Sequence, residues 1–195
     1  MIIRHIESLP NSGSVFLAYF YFDCKDIAKQ DSRALLTSLL EQLSNQSDQL
    51  CDVLRGLYSK HHDGSEQPSN DALLRCLKGM LTIARSVPIY VVMDALDECP
   101  NDSGSPSREK VLNVVEELIK LRLPNLRLCI TSRPELDIRA IIKPLATQEI
   151  SLHDESGQNR DINAYVTFVA QSVKHWRDDD KKMIADKLME DADGM

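Results

Sequence analysis

Apolar residues along this chain fall at two spacings, and the polar stretches between them mark where one element gives way to the next. Ile2, Ile3, Ile6 and Leu9 sit at helical spacing, and Pro10-Asn11-Ser12-Gly13 supplies turn chemistry to stop the helix. VFLAYFYF, residues 15–22, is a continuous apolar and aromatic run of strand length, which predicts a strand buried on both faces. Asp31-Ser32 can cap a helix whose Leu35, Leu36, Leu39, Leu40 and Leu43 share one stripe. Leu50, Val53, Leu54, Leu57 and Tyr58 predict a second helix, and a polar loop over 60–70 ends it. A third runs from Asn70 through Leu73, Leu74, Leu77, Met80, Leu81 and Ala84 until Pro88 stops it. IYVVMD is the next strand.

Beyond it, Ser105-Pro106 reads as an N-cap with proline at the first helical position, opening a helix through Val111, Leu112, Val115, Leu118 and Ile119. LRLCITS, 126–132, is a third strand, and Ser132 with Glu135 has the spacing of a capping box for a short helix to about Ile142. TQEISL, 147–152, alternates as an edge strand should. The remainder carries two helical stripes, one with Ile162, Tyr165, Val166 and Val169, the other with Ile184, Leu188 and Met189 after the acidic start Asp178-Asp179-Asp180. Apolar strands separated by helices predict an α/β fold, a parallel sheet with helices on both faces, and place any ligand site at the carboxyl ends of the strands.

Composition narrows the partners. The 195 residues carry a net charge of −7 and no cluster of Lys and Arg, which argues against a nucleic-acid groove. No segment approaches the ~20 apolar residues of a membrane span, and the N-terminus lacks the pattern of a secretory signal, so a cytoplasmic location is the default. Five cysteines without a C-x-x-C pair read as reduced thiols.

The strand ends hold the candidate chemistry. IYVVM delivers Asp94 to a strand tip, the arrangement of a Walker B carboxylate that orients Mg²⁺, and Asp97 or Glu98 could polarise an attacking water as general base. The plain alternative is a solvated acidic loop. LRLCITSRPE sets Thr131, Ser132 and Arg133 beside that site if the two strands are neighbours, and Arg133 could then reach a terminal phosphate. Equally, Ser132 and Glu135 could do no more than cap a helix, with Arg133 paired to a surface acid.

In this order and strand context, VVMDALDECP followed by LRLCITSRPE resembles the NACHT domain of the STAND class of P-loop nucleoside triphosphatases, in its fungal NOD-like receptor and nephrocystin-like N-terminal forms. The resemblance extends over nearly the whole chain. It implies a three-layer P-loop-type fold, with residues 1–152 as a partial NACHT core and 153–195 as the start of the helical region that follows. It implies Asp94 as the Mg²⁺-orienting residue, Asp97 and Glu98 as the acidic pair, Arg133 as the sensor arginine, and Thr131 and Ser132 beside the nucleotide. Ala95 stands where many members have glycine.

The cofactors implied are Mg²⁺ with ATP or GTP, and the partners implied are self-association and the effector and repeat domains of a longer protein. The phosphate loop G-x-x-x-x-G-K-[ST] does not occur in the 195 residues. IIRHIESL resembles the helix that follows that loop, so the expectation is a fragment lacking the first strand, with LRLCITS beside an empty slot and TQEISL without its partner. Tight nucleotide binding and turnover by this chain are therefore not expected.

Two functional readings follow: the core of a nucleotide-operated switch in signal transduction and non-self recognition, or a non-catalytic interaction module on the same fold. An unrelated Mg²⁺-dependent hydrolase using Asp94, Asp97 and Glu98 is a third and weaker one. His61-His62-Asp63 reads as solvated loop, Cys99 as packing, and His175-Trp176-Arg177 as core or interface filling.

Overall fold

The structure is a computed structural model, and it describes residues 2–7, 15–61, 64–101, 107–151, 156–173 and 177–192. The turn at 10–13, His62-Asp63, the Ser105-Pro106 cap and His175-Trp176 lie outside the described residues. Contacts divide the chain into two compact units, Met1–Ala146 and Thr147–Met195.

In the first unit, helix α1 (Ile2–Glu7) precedes strand β1 (Phe16–Tyr21), and three helices follow: α2 (Ser32–Ser44), α3 (Asp48–Lys60) and α4 (Asn70–Ile83). Strand β2 (Ile89–Asp94), helix α5 (Ser107–Ile119), strand β3 (Leu126–Ile130) and helix α6 (Leu136–Ile142) complete it. The fold is α/β and three-layered, a parallel sheet of order β1-β2-β3 flanked by helices. The second unit is helical: α7 (Ser156–Ser172) lies against α8 (Asp178–Ala192). No helix among the described residues is long and apolar enough to cross a membrane.

Local chemistry explains the elements. Asp31 caps α2 by accepting from the Ala34 N–H, and Ser69 caps α4 by accepting from Ala72. The leucine stripe of α2 is fully buried, and Leu73, Leu77, Met80 and Leu81 of α4 pack into the same core. In the register Phe16↔Ile89, Ala18↔Val91 and Phe20↔Met93, one face of the sheet turns entirely into that core.

The opposite face differs from the expectation of a strand buried on both sides. Val92 is buried there, but Tyr19 and Tyr21 of β1 are 37% and 45% exposed, their rings 5.5 Å apart. Tyrosine has an apolar body and a polar tip, so a run that looks uniformly apolar can still keep one face wet. A second difference lies at 147–151, which is irregular rather than an edge strand. Alternation is a local pattern and by itself makes no strand.

Candidate functional site

β2 supplies the floor of the site because its apolar residues anchor it on both sides and leave Asp94 at the carboxyl end. Ala95 then adopts the left-handed conformation at φ 56°, turning the chain sharply into a 3₁₀ turn over Leu96–Glu98. Leu96 and Cys99 are both fully buried, and they pin the turn from either side. Between these anchors Asp97 and Glu98 are left half-buried at the strand ends.

The three strand ends are tied together by specific contacts. The Thr131 hydroxyl donates to Asp94 Oδ1, while its oxygen accepts from the Ala95 N–H at 3.0 Å. The Leu96 N–H donates to the Thr131 carbonyl at 3.0 Å, so Thr131 holds both the acid and the turn after it. Asp97 faces the β3 end: its Oδ1 accepts from the Arg133 N–H at 3.0 Å, and its Oδ2 lies 3.5 Å from Arg133 Nε. Glu98 faces the other way, its Oε2 accepting from the Cys24 N–H at 3.1 Å beyond β1. The acidic pair is thus divided between the two flanking strands.

Of the residues singled out in the sequence, Asp94, Asp97, Thr131 and Arg133 come together here, and Glu98 joins from the β1 side. Ser132 does not converge with them. Its exposed hydroxyl donates to the Arg133 carbonyl, and the N-cap of α6 is Glu135 without a side-chain cap bond, so no capping box forms. The Arg133 side chain is 83% exposed, and an ion pair that open to water is weak.

Three participants escaped the sequence reading. Asp23 and Cys24 end the run FLAYFYF as Asp94 ends IYVVM, a repeated pattern that could have flagged them. Ligand atoms of Asp23, Cys24 and Glu98 lie within 4.8 Å of one another. Arg108, in the first turn of α5, is buried and donates through Nη2 to the Asp97 carbonyl at 2.6 Å and through Nε to the Cys99 carbonyl at 2.9 Å. Nothing in S-R-E-K distinguishes it from an exposed helix-start arginine.

Burial also sets the chemistry of the nearby thiols. It pushes Cys99 up to about 11, with the Arg108 charge opposing and Asp31 adding to the rise. It raises Cys129 as well, helped by the charge of Asp94. Cys99 Sγ donates to the Gln30 carbonyl at 3.1 Å, a packing role rather than a nucleophile's.

Among the described residues the ligand atoms that lie together are those of Asp23, Cys24 and Glu98, and Asp94 and Asp97 are not part of that group. Asp94 offers a single hard oxygen donor, the kind of share a protein gives to a Mg²⁺ ion held mainly by nucleotide phosphates and water. A phosphate cradle is a different matter. Gly56, Gly64 and Gly79 lie in α3, in the loop after it and in α4, so none of these glycines stands at a strand's carboxyl end. Asp94 alone suits a hard cation, while the described residues offer no glycine-rich loop for phosphates.

Comparison with known proteins adds one finding. Residues 1–133 match the family model described as Nephrocystin 3, N-terminal. The chain belongs to the nephrocystin 3 N-terminal family. The matched region of this nephrocystin-type chain contains the three strands of the described residues and ends at Arg133, so every candidate residue at the strand ends lies inside it. No curated protein and no solved structure matches the chain.

Proposed function

We propose that this nephrocystin-type domain is the core of a NACHT-type nucleotide-operated switch of the STAND class, a piece of a P-loop nucleoside triphosphatase acting in signal transduction and non-self recognition in the cytoplasm. The observation that carries the reading is the Thr131–Asp94 hydrogen bond between neighbouring parallel strand ends, which sets the acidic turn and the Thr131–Arg133 segment side by side. Ligand sites of open parallel sheets lie at such strand ends.

In this reading Asp94, with Thr131 fixing its Oδ1, would hold Mg²⁺, and Asp97 or Glu98 would accept a proton from water. Bound Mg²⁺ would neutralise phosphate charge. Arg133, tethered to Asp97, would exchange that carboxylate for a nucleotide's terminal phosphate and so report its presence. Because the described residues provide no phosphate cradle, ATP or GTP binding by this chain is expected to be weak and turnover absent. Self-association and contacts with effector and repeat domains would belong to the longer protein. The second reading, a non-catalytic interaction module, draws on the exposed Arg133 side chain and on that same lack of a cradle.

Binding of a fluorescent ATP analogue, with and without Mg²⁺, separates the two readings. The switch reading expects a Kd on the order of 0.1–1 mM, lost without Mg²⁺ and in Asp94→Asn, with GTP competing if the base is not discriminated. A folded chain that binds no analogue, or binds it equally without Mg²⁺ and in Asp94→Asn, would leave the interaction module.

A further inference from the structure

Arg108 is the one buried charged residue of the core face among the described residues, and its three polar directions are all used. Beyond the carbonyls of Asp97 and Cys99, its Nη1 lies 3.3 and 3.2 Å from the two carboxylate oxygens of Asp137 on α6. Asn101 adds a donor to Asp137 Oδ2 at 2.9 Å. Asp97 is therefore held at both ends, its carbonyl by Arg108 and its carboxylate by Arg133. Arg133 in turn lies four residues before Asp137, so the contacts close a ring through both strand-end loops. The guanidinium places these donors on three separate nitrogens of one rigid plane, whereas a lysine ammonium gathers its three donors on a single nitrogen and does not reproduce that spread.

We propose that Arg108 is the positioning residue of the acidic turn, and that through Asp137 it makes the turn and α6 move as one body. This deepens the nucleotide-site reading and rests on it. A change in α6 would reach Asp97 through a single guanidinium, giving the helix that leads out of the first unit a direct mechanical link to the acids.

The test uses the intact chain with Arg108→Lys, Asp137→Asn and Asp137→Glu. Asp137 is only half-buried, so its variants retain the fold, and circular dichroism checks this. Hydrogen exchange reads the amides of Leu96, Glu98, Cys99 and Arg133, which donate within the two loops. Titration with Mn²⁺, followed by its electron paramagnetic resonance signal, reads the carboxylates. Arg108→Lys and Asp137→Asn are expected to speed exchange at these amides about tenfold while β2 and β3 stay protected. Both should weaken Mn²⁺ binding about tenfold, and Asp137→Glu should restore both readings.

Unchanged loop exchange in both variants would overturn the link. Faster exchange with unaltered Mn²⁺ affinity would reduce Arg108 to a structural brace and overturn the positioning role. A wild-type chain that binds no Mn²⁺ would remove the metal-site reading and the positioning role together. That outcome is recognisable because it appears before any substitution is made.

Discussion

Ala95 shows how one residue's backbone sets the geometry of the site. At φ 56° its Cβ crowds the adjoining carbonyl, a conformation that costs an L-residue about 1–2 kcal/mol and costs glycine nothing. The buried Leu96 and Cys99 and the Leu96 N–H bond to Thr131 hold it there. Ala95→Gly should therefore raise stability by about 1 kcal/mol, after the glycine's greater freedom in the unfolded chain is deducted. In thermal unfolding this is a rise of about 2–4 °C. A lower midpoint would show that the Ala95 methyl contributes more by packing than its φ takes away. Residue by residue, the sequence was legible where position along a strand decides: Asp94 at a strand tip and Thr131 beside it are visible in the order of letters. It was not legible where backbone or burial decides. The strain at Ala95, the diversion of Ser132 to its neighbour's carbonyl and the burial of Arg108 leave no pattern in composition or spacing.

Among elements, the β1 edge of the sheet is covered by side-chain amides. Gln42 on α2 and Gln46 in the turn just after it each set a side-chain amide against β1. Gln46 accepts from the Leu17 N–H at 2.9 Å and donates to its carbonyl at 2.7 Å, and Gln42 does the same for Tyr19 at 3.0 and 2.7 Å. The amides imitate the peptide groups of a further strand, and they remove the unpaired edge that invites a second chain. The double variant Gln42→Ala, Gln46→Ala forfeits the four hydrogen bonds to β1, together with the amide bonds to the Ser38 hydroxyl and the Gln42 carbonyl, and should cost about 2–4 kcal/mol. Light scattering should also show association that grows with concentration. A variant that stays monomeric at high concentration would mean the edge is protected by something else. The leucine stripes of α2 and α4 were readable because each helix buries one face and period 3.6 records it. The glutamines were not, since a polar residue beside a leucine stripe looks the same whether it meets water or a strand edge. TQEISL failed for the converse reason: its alternation is local, whereas a strand exists only with a partner.

For the molecule as a whole, the buried thiols couple folding to alkali. Burial raises Cys76, Cys99 and Cys129 of the first unit, with Cys99 moving from 9.0 to about 11. An unfolded thiol ionises near its ordinary value, but folded Cys99 keeps its proton until about 11. Between those values the unfolded chain holds fewer protons than the native one, so stability falls as pH rises. The contribution is fully present below about pH 9 and is lost through the folded value. For Cys99 a shift of this size corresponds to a loss on the order of 2 kcal/mol by pH 11. Urea unfolding at a series of pH values from 8 to 11 should thus show a steeper alkaline decline for the wild-type chain than for Cys99→Ala. The substitution also leaves a small cavity, which lowers the whole curve by a constant and does not alter its slope. Parallel curves would show that Cys99 ionises in the folded state as readily as in the unfolded one, and would sink the assignment. The consequence would reach the site. Cys99 Sγ bonds the Gln30 carbonyl, and the Gln30 amide donates to the carbonyls of Asp23 and Cys24 at 3.2 and 2.7 Å, so ionising this thiol loosens the β1 end where Glu98 is held.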